Sequence, residues 1–167
     1  MCAAPGGKTT LLAQMLENDA HIVAVEPAAG RRERLEANCN RLNADCAVVA
    51  SLADSPCREF DRVLVDAPCS NTGVIRRRLD LRWRLRPEEL RRLSQAQLGL
   101  LGQAAPLLRP GGSMVYSTCS LEREENRGVV DAFLAANPGF SLAHERELFP
   151  PDAKADGAYA AVLRKSE

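Results

Sequence analysis

Apolar residues follow two alternating patterns along this chain. Short runs such as IVAV at residues 22–25 and VLV at residues 63–65 are apolar at successive positions, which is typical of strands buried on both faces of a sheet. Between these runs, apolar residues recur every three or four positions, as in amphipathic helices. We predict strands at about 21–26, 46–50, 61–66, 113–117 and 158–164, a short strand near 140–143, and helices at about 8–18, 30–42, 88–108 and 122–136.

This alternation of strands and helices predicts a doubly wound α/β fold with a mostly parallel sheet. Pro110, Gly111 and Gly112 are expected to end the long third helix and to turn the chain into the strand at about 113–117. From Phe140 onward, an antiparallel pair of strands on either side of residues 149–151 is expected to complete the sheet. The length of 167 residues suits one domain, so we assign residues 1–167 to a single domain.

The composition excludes several classes of protein. With 46% hydrophobic residues, the chain has enough apolar surface to build a core and is not a disordered chain. We expect a cytoplasmic protein, because the sequence shows neither a secretory leader nor an apolar run long enough to span a bilayer. The six cysteines include no C-x-x-C pair, so we expect neither disulfides nor a metal site, and we interpret Cys39, Cys46 and Cys57 as packing side chains.

Two other cysteines lie where active-site residues are expected. Cys69 follows the predicted strand at about 61–66, Cys119 follows the strand at about 113–117, and a helix-length segment separates the two strands. Such a crossover returns the second strand parallel to the first, so both strands end at one edge of the sheet, ~4.8 Å apart. A single cysteine at a strand end is more often a packing residue. Two of them, with Asp66 beside one, favour a two-thiol active site.

The first residues of the chain predict a ligand-binding loop. The segment CAAPGGKTT at residues 2–10 leads into a helix, and its glycines let backbone N–H groups approach a ligand. The first glycine of a nucleotide triphosphatase loop, G-x-x-x-x-G-K-[ST], is absent. Glu26 ends the next strand, where an acidic side chain accepts hydrogen bonds from ribose hydroxyls. The pattern indicates a nucleoside without a triphosphate, although Glu26 has the alternative role of capping the following helix.

The charge is balanced overall but concentrated locally. Eight arginines and three acidic residues lie between Arg76 and Arg92, a local excess of five positive charges, and Trp83 lies among them. Arginine binds phosphate oxygens through forked donors, and an indole stacks on nucleobases, so this segment predicts contact with RNA. The alternative is a solvated helix face with a partly buried tryptophan.

Four segments together resemble a known family. CAAPGGKTT, FDRVLVDAPCSNTGVIRR, PGGSMVYSTCS and the triplet Glu124-Glu125-Asn126 occur in the order of the motifs of the RNA 5-methylcytosine methyltransferases, in particular the bacterial branch that acts on small-subunit ribosomal RNA. The resemblance covers nearly the whole chain. It implies a Rossmann-like methyltransferase fold, S-adenosylmethionine as cofactor, RNA as partner, and a monomer without a metal ion.

The resemblance also assigns roles to residues. Cys119 is the expected nucleophile, Cys69 is expected to assist product release, and Asp66 and Lys8 are expected to hold the cytosine and its proton. The residues expected to bind the cofactor are Cys2, Ala3, Ala4, Pro5, Gly6, Gly7, Lys8, Glu26, Asp54 and Asp66. Asp54 has the alternative of being a turn residue. The residues expected to bind RNA are Arg76, Arg77, Arg78 and Trp83.

The chain departs from the family pattern in two places. Asn71 stands where the family usually has glycine, and asparagine tolerates the positive φ that a glycine turn uses. The chain begins one residue before Cys2, so we expect a catalytic fragment that lacks the family's first strand and its upstream RNA-binding domain, and that is unstable and inactive by itself. Two further possibilities stay open: the same chemistry on transfer RNA, and an inactive remnant that binds RNA or cofactor.

Overall fold

The computed structural model describes the backbone of residues 1–167 and the side chains of all of them except Arg84. The chain folds into two compact units, Met1–Arg58 and Glu59–Glu167. The assignment of all 167 residues to one domain stays a prediction.

The first unit contains two helices and a pair of parallel strands. Its elements are α1 (Gly7–Met15), β1 (Val23–Val25), α2 (Ala29–Arg41), β2 (Ala47–Val49) and a 3-10 turn at Leu52–Asp54. Val23 lies opposite Ala47, and Val25 lies opposite Val49. Leu35 and Cys39 of α2 pack against Ala24 of β1, so the apolar face of the helix covers the strand pair.

The second unit is built around a four-stranded sheet. Its elements are β3 (Phe60–Asp66), α3 (Leu81–Arg84), α4 (Pro87–Ala104), β4 (Leu108–Thr118), α5 (Arg127–Ala136), β5 (Phe140–Leu148), α6 (Pro150–Ala153) and β6 (Ala158–Lys165), with 3-10 turns at Thr72–Val74 and Ala105–Leu107. The strand order is β3-β4-β6-β5. β3 and β4 are parallel, whereas β6 is antiparallel to both of its neighbours.

The core of this unit lies on β4 and its neighbours. Met114, Tyr116 and Leu163 are completely buried on the sheet, as are Leu101 of α4 and Phe133 of α5. Side chains of this size each contribute roughly 1.5–3 kcal/mol when they are removed from water. Because β4 is part of this core, packing holds the carboxyl end of β4, which Cys119 follows, in place.

The predicted α/β order is confirmed, including the parallel pair β3–β4 and the antiparallel strands at the end of the chain. β5 is longer than the predicted short strand, since it runs to Leu148. Among the described residues, no helix is long and apolar enough to cross a membrane.

Three predicted helix boundaries are wrong. α1 ends at Met15 rather than near residue 18. The long helix ends at Ala104 rather than near residue 108, because Pro106 has no N–H to donate and its ring clashes with the preceding turn. Pro110–Gly112 therefore do not end this helix. They lie inside β4, where the pairing shifts between Leu108 and Ser113. The next helix begins at Arg127 rather than near residue 122.

The close packing of Gly73, in the turn after β3, predicts that a larger residue there destabilises the protein. A Cβ on Gly73 would overlap the carbonyl oxygen of Gly157 and lie 2.7 Å from that of Cys119, and both are backbone atoms, which cannot rotate away as a flexible side chain can. We expect Gly73→Ala to lower the free energy of unfolding by about 1–3 kcal/mol, as overpacking does. Urea denaturation measures the change.

Gly99 provides a matched control, because a Cβ there meets nothing within 4 Å. Gly99 lies inside α4, so Gly99→Ala is expected to stabilise the protein by roughly 0.5–1 kcal/mol. Equal unfolding midpoints for the two variants would contradict the tight packing at Gly73.

Candidate active site

The structure brings the two predicted thiols together. Cys69 follows β3 and Cys119 follows β4, and their Sγ atoms are 3.3 Å apart. The parallel pairing places Asp66 opposite Ser117, so both strands end at the same edge of the sheet. The backbone N–H of Cys119 also points to Cys69 Sγ, at 3.4 Å. Both cysteines are partly exposed, and a substrate can therefore approach them.

Asn71 connects the two cysteines. Its φ of +62° is in the left-handed region, which asparagine tolerates better than most residues. Its Nδ2 donates to the carbonyl oxygen of Cys69 at 2.7 Å, and its Oδ1 accepts a hydrogen bond from the Cys119 thiol at 3.0 Å. Asn71 thus preserves the turn and adds a contact to Cys119 that a glycine does not make.

The two thiols differ in their electrostatic surroundings. The hydrogen bond to Cys119, burial, and repulsion from a Cys119 thiolate raise the pKa of Cys69 far above its ordinary value. Hydrogen bonds from the backbone N–H groups of Asn71 and Cys119 oppose this only in part. Cys69 therefore keeps its proton at neutral pH while Cys119 is beside it.

A buried carboxyl group joins the two cysteine loops. Glu125 is completely buried, and its oxygens accept hydrogen bonds from the Ser70 N–H at 2.9 and 3.2 Å, from Ser120 Oγ at 2.6 Å and from Gln97 Nε2 at 3.0 Å. The Ser70 hydroxyl also donates to it. Gln97 Nε2 donates in addition to the carbonyl oxygen of Pro68, at 2.9 Å. One side chain thus fixes the residue after each cysteine.

Asn126 stabilises the loop that contains Cys119 and Ser120. Thr118 Oγ1 donates to Asn126 Oδ1 at 2.6 Å, and Asn126 Nδ2 donates to the carbonyl oxygen of Ser120 at 2.9 Å. The sequence assigns Glu125 and Asn126 no role beyond their motif. The only local signal is the serine that follows each of the two cysteines, and the structure shows that both hydroxyls donate to Glu125.

Asp66 lies at the same edge of the sheet as the thiols. It is the last residue of β3, half-buried, and Ser117 Oγ of β4 donates to its Oδ1 at 3.0 Å. The pairing of β3 with β4 thus holds the carboxyl group of Asp66, which lies shortly before Cys69 in the sequence.

The loop at the start of the chain is held in place within the first unit. The Ala3 N–H donates to the carbonyl oxygen of Val25 at 3.1 Å, and Asn38 Nδ2 donates to that of Pro5 at 2.8 Å. Gly6 has a φ of +107°, and a Cβ there would lie 2.9 Å from Leu35 Cδ1, so glycine is required. α1 begins at the next residue, with Gly7 and Lys8 exposed in its first turn.

The two carboxylate oxygens of Glu26 have different surroundings. Its side chain is buried, and Oε1 accepts from the Ala28 N–H at 3.1 Å and pairs with Arg31 Nε at 3.3 Å, at the start of α2. Among the described residues no donor reaches Oε2, which is also buried. A buried acceptor without a donor is costly, and a ribose hydroxyl would satisfy it. The helix-capping role and a ligand role are therefore compatible.

Asp54 has the turn role that the sequence left open. It ends the 3-10 turn after β2, and its Oδ2 accepts from the Ser51 N–H at 3.2 Å and from Ser51 Oγ at 2.8 Å. This capping box is exposed.

The predicted RNA-binding residues have different surroundings. Arg76 and Arg77 both pair with Asp156, at 2.6 and 2.9 Å. Trp83 is 86% exposed, so the interpretation as a partly buried tryptophan is wrong. Arg78 lines a cleft that reaches Cys69.

Cys39 and Cys46 pack in the core of the first unit. Cys39 is buried, and its Sγ is 3.2 Å from that of Cys46. Burial and the neighbouring thiol raise the pKa of Cys46 to about 12. In the part of the chain with described side chains, no three His, Cys, Asp or Glu residues are grouped to hold a metal ion.

Solved structures place the fold among methyltransferases. The structure of NSun6 from Pyrococcus horikoshii with SFG matches at a TM-score of 0.89 and 32% identity, over 100% of this chain and 47% of that one. A methyltransferase homologue protein from the same organism matches at 0.82 and 30%, over 98% and 59%. An O-methyltransferase from Bacillus cereus in complex with SAH, at 0.63 and 17%, shares the fold alone.

Sequence comparisons identify the branch. The ribosomal RNA small subunit methyltransferase B of Proteus mirabilis is 38% identical over 170 residues, and that of Vibrio cholerae is 40% identical over 177. These matches cover 99% and 98% of this chain, which spans about two fifths (40%) of the length of each relative. The model of the family described as 16S rRNA methyltransferase RsmB/F matches residues 1–164. The resemblance noted in the sequence is thus confirmed, and this chain belongs to the 16S rRNA methyltransferase RsmB/F family.

Proposed function

We propose that this protein transfers a methyl group from S-adenosylmethionine to carbon 5 of a cytosine in RNA. The observation that carries this proposal is the pair of thiols 3.3 Å apart at the ends of two parallel strands. Membership of a 16S rRNA methyltransferase family supports small-subunit ribosomal RNA as the substrate. Transfer RNA is the alternative substrate for the same chemistry.

The first unit supplies residues suited to the cofactor. Residues 2–6 form a tightly held loop before α1, and Gly7 and Lys8 lie in the first turn of that helix. Glu26 has a buried oxygen suited to a ribose hydroxyl. When bound, S-adenosylmethionine supplies the methyl group. Binding of the cofactor by Asp54 and Asp66, and the role of Lys8 in positioning Asp66, stay predictions.

Cys119 is the proposed nucleophile. Carbon 5 of cytosine is a weak nucleophile, and addition of a thiolate at carbon 6 gives the ring enamine character and activates carbon 5. The Cys119 thiol already donates to Asn71 Oδ1, which fixes the direction of its Sγ. The ring nitrogen N3 gains a proton during the addition, and Asp66, at the end of the neighbouring strand, is the proposed group that holds this proton.

Cys69 is proposed to act after methyl transfer. The carbon 5 proton must then be removed before the bond from carbon 6 to Cys119 can break by elimination. Two of the effects that raise the pKa of Cys69, the hydrogen bond to Cys119 and repulsion from its thiolate, depend on a free Cys119. Once Cys119 is bonded to carbon 6, both effects are lost and burial alone still raises the pKa of Cys69, so its proton is held less tightly in the covalent complex than in the free protein.

The substrate must present an unstacked base, since carbons 5 and 6 are not reachable in a stacked helix. Arg76, Arg77, Arg78 and Trp83 are the proposed RNA contacts, and the exposed indole of Trp83 is suited to stacking on a base. The paired thiols and their buried hydrogen-bond network favour an enzyme over a remnant that binds without turnover. That the protein is a cytoplasmic monomer stays a prediction.

Replacing each of the two thiols is expected to block a different step of the reaction. Cys119→Ala should form no covalent adduct with RNA, because the nucleophile is lost. Cys69→Ala should still transfer the methyl group but accumulate a protein–RNA adduct, because elimination is blocked. A denaturing gel with labelled RNA and S-adenosylmethionine measures the adduct, since only a covalent bond survives denaturation.

Cys57→Ala is the control, since Cys57 lies in the segment before β3 and has no proposed role. It should behave like the unchanged protein. An adduct with Cys119→Ala and none with Cys69→Ala would reverse the two roles, and normal turnover in both would rule out the two-thiol mechanism.

The buried carboxyl group of Glu125 provides another test. Glu125→Gln replaces one acceptor oxygen with a donor that faces other donors, so we expect the free energy of unfolding to fall by about 1–3 kcal/mol and adduct formation to slow. Urea denaturation and the rate of adduct formation measure these effects. The neighbouring Glu124 is exposed, so Glu124→Gln is a matched control that should change neither quantity. Identical behaviour of both variants would remove Glu125 from the site.

Glu26→Ala tests the cofactor site. If Oε2 accepts a hydrogen bond from the cofactor's ribose, the variant should bind S-adenosylmethionine about 1–3 kcal/mol more weakly, the usual cost of an unpaired group. Isothermal titration calorimetry measures the affinity, with Glu33→Ala on the exposed face of α2 as the control. Unchanged affinity would exclude Glu26 from the site.

A further inference from the structure

An open cleft of about 510 Å³ adjoins the thiol pair. At one end it is lined by Cys69, Ser70 and Asn71, the loop that follows β3. Arg78, Arg86 and Arg92 provide its positive charge. Leu81, Leu85 and Leu93 provide an apolar surface between them. We call this the arginine cleft. It leads from Cys69 along the segment before α4.

The arginines of this cleft are not equivalent. Arg92 is neutralised by a two-pronged contact with Glu89, at 2.6 and 3.0 Å, and this contact lowers the pKa of Glu89. Arg78 and Arg86 form no ion pair with any side chain that the structure describes, whereas Arg76 and Arg77 share Asp156. Glu88 also lines the cleft and is 3.8 Å from Arg91, which lies outside it. The net positive charge of the cleft therefore comes from Arg78 and Arg86, less the charge of Glu88.

We propose that the arginine cleft binds an unpaired RNA strand next to the target cytosine, with Arg78 and Arg86 contacting its phosphates. This rests on the proposed function, which places the target base at the thiols. A guanidinium group matches the geometry of phosphate oxygens, and the leucines suit the faces of a base or sugar. A cleft of about 510 Å³ is of the size that takes a small ligand, so it holds one or two nucleotides rather than a duplex.

Salt dependence tests the phosphate contacts directly. The logarithm of the affinity for a single strand falls with the logarithm of the salt concentration, with a slope of about −0.7 for each phosphate contacted. We expect Arg78→Gln and Arg86→Gln each to make the slope shallower by about 0.7, and the double variant by about 1.4. At low salt, each single variant should bind roughly tenfold more weakly, as when a hydrogen bond to a charged group is lost.

The measurement is fluorescence anisotropy with a short, labelled, single-stranded RNA that contains cytosine, over about 50 to 200 mM sodium chloride. Arg146→Gln is the matched control, because Arg146 is exposed on β5 and lies outside the cleft. It should keep the slope of the unchanged protein. Arg78→Lys should also keep the slope, because it retains the charge, and this excludes a loss caused by misfolding.

The outcomes separate this inference from the proposed function. Unchanged slopes in both single variants and in the double variant, or an equal change with Arg146→Gln, overturn the arginine cleft as a phosphate site, even where the unchanged protein forms a covalent adduct. If the unchanged protein forms no adduct while the Arg78 and Arg86 variants lose slope, the methyl-transfer proposal fails and the RNA site stands.

Discussion

The buried carboxyl group of Glu125 is the constraint on which the candidate active site depends. It accepts hydrogen bonds from Ser70 and Ser120, the residues that follow the two cysteines, and from Gln97 of α4. Hydrogen bonds to a buried carboxyl group are stronger than those at the surface, and breaking one leaves a buried group unsatisfied. The two loops, whose residues Ser70 and Ser120 are 50 positions apart in sequence, are therefore held at a fixed separation in the structure.

This fixed separation has chemical consequences. At 3.3 Å the thiols share a hydrogen bond, and the same contact raises the pKa of Cys69. In the proposed mechanism, formation of the covalent bond at Cys119 removes that contact and lowers the pKa of Cys69 toward its ordinary value, although burial still opposes loss of the proton. The separation of the two thiols thus couples the proton affinity of Cys69 to the bonding state of Cys119.

Polar groups without protein partners mark both proposed binding sites. In the first unit, Oε2 of Glu26 is buried without a donor among the described residues. In the second unit, Arg78 and Arg86 line a cleft without an ion pair among the described side chains, beside an Arg92 that Glu89 neutralises. The buried oxygen of Glu26 lowers the stability of the unliganded protein and is more readily explained by a ligand than by the fold. Arg78 and Arg86 are exposed and hydrated, so they cost no stability and leave their charge available to a phosphate.

The sequence by itself determined the α/β order, the position of both cysteines at strand ends and the glycine loop, because these depend on local periodicity and on parallel strands ending at one edge. The end of α4 is encoded locally as well, because Pro106 ends the helix before the Pro110–Gly112 signal on which the prediction relied. The tertiary structure alone revealed the role of Glu125, the pairing of Arg76 and Arg77 with Asp156, and the exposure of Trp83. Which donors reach a carboxyl group, and which charges are neutralised, depends on contacts between segments far apart in sequence, and no local pattern encodes them.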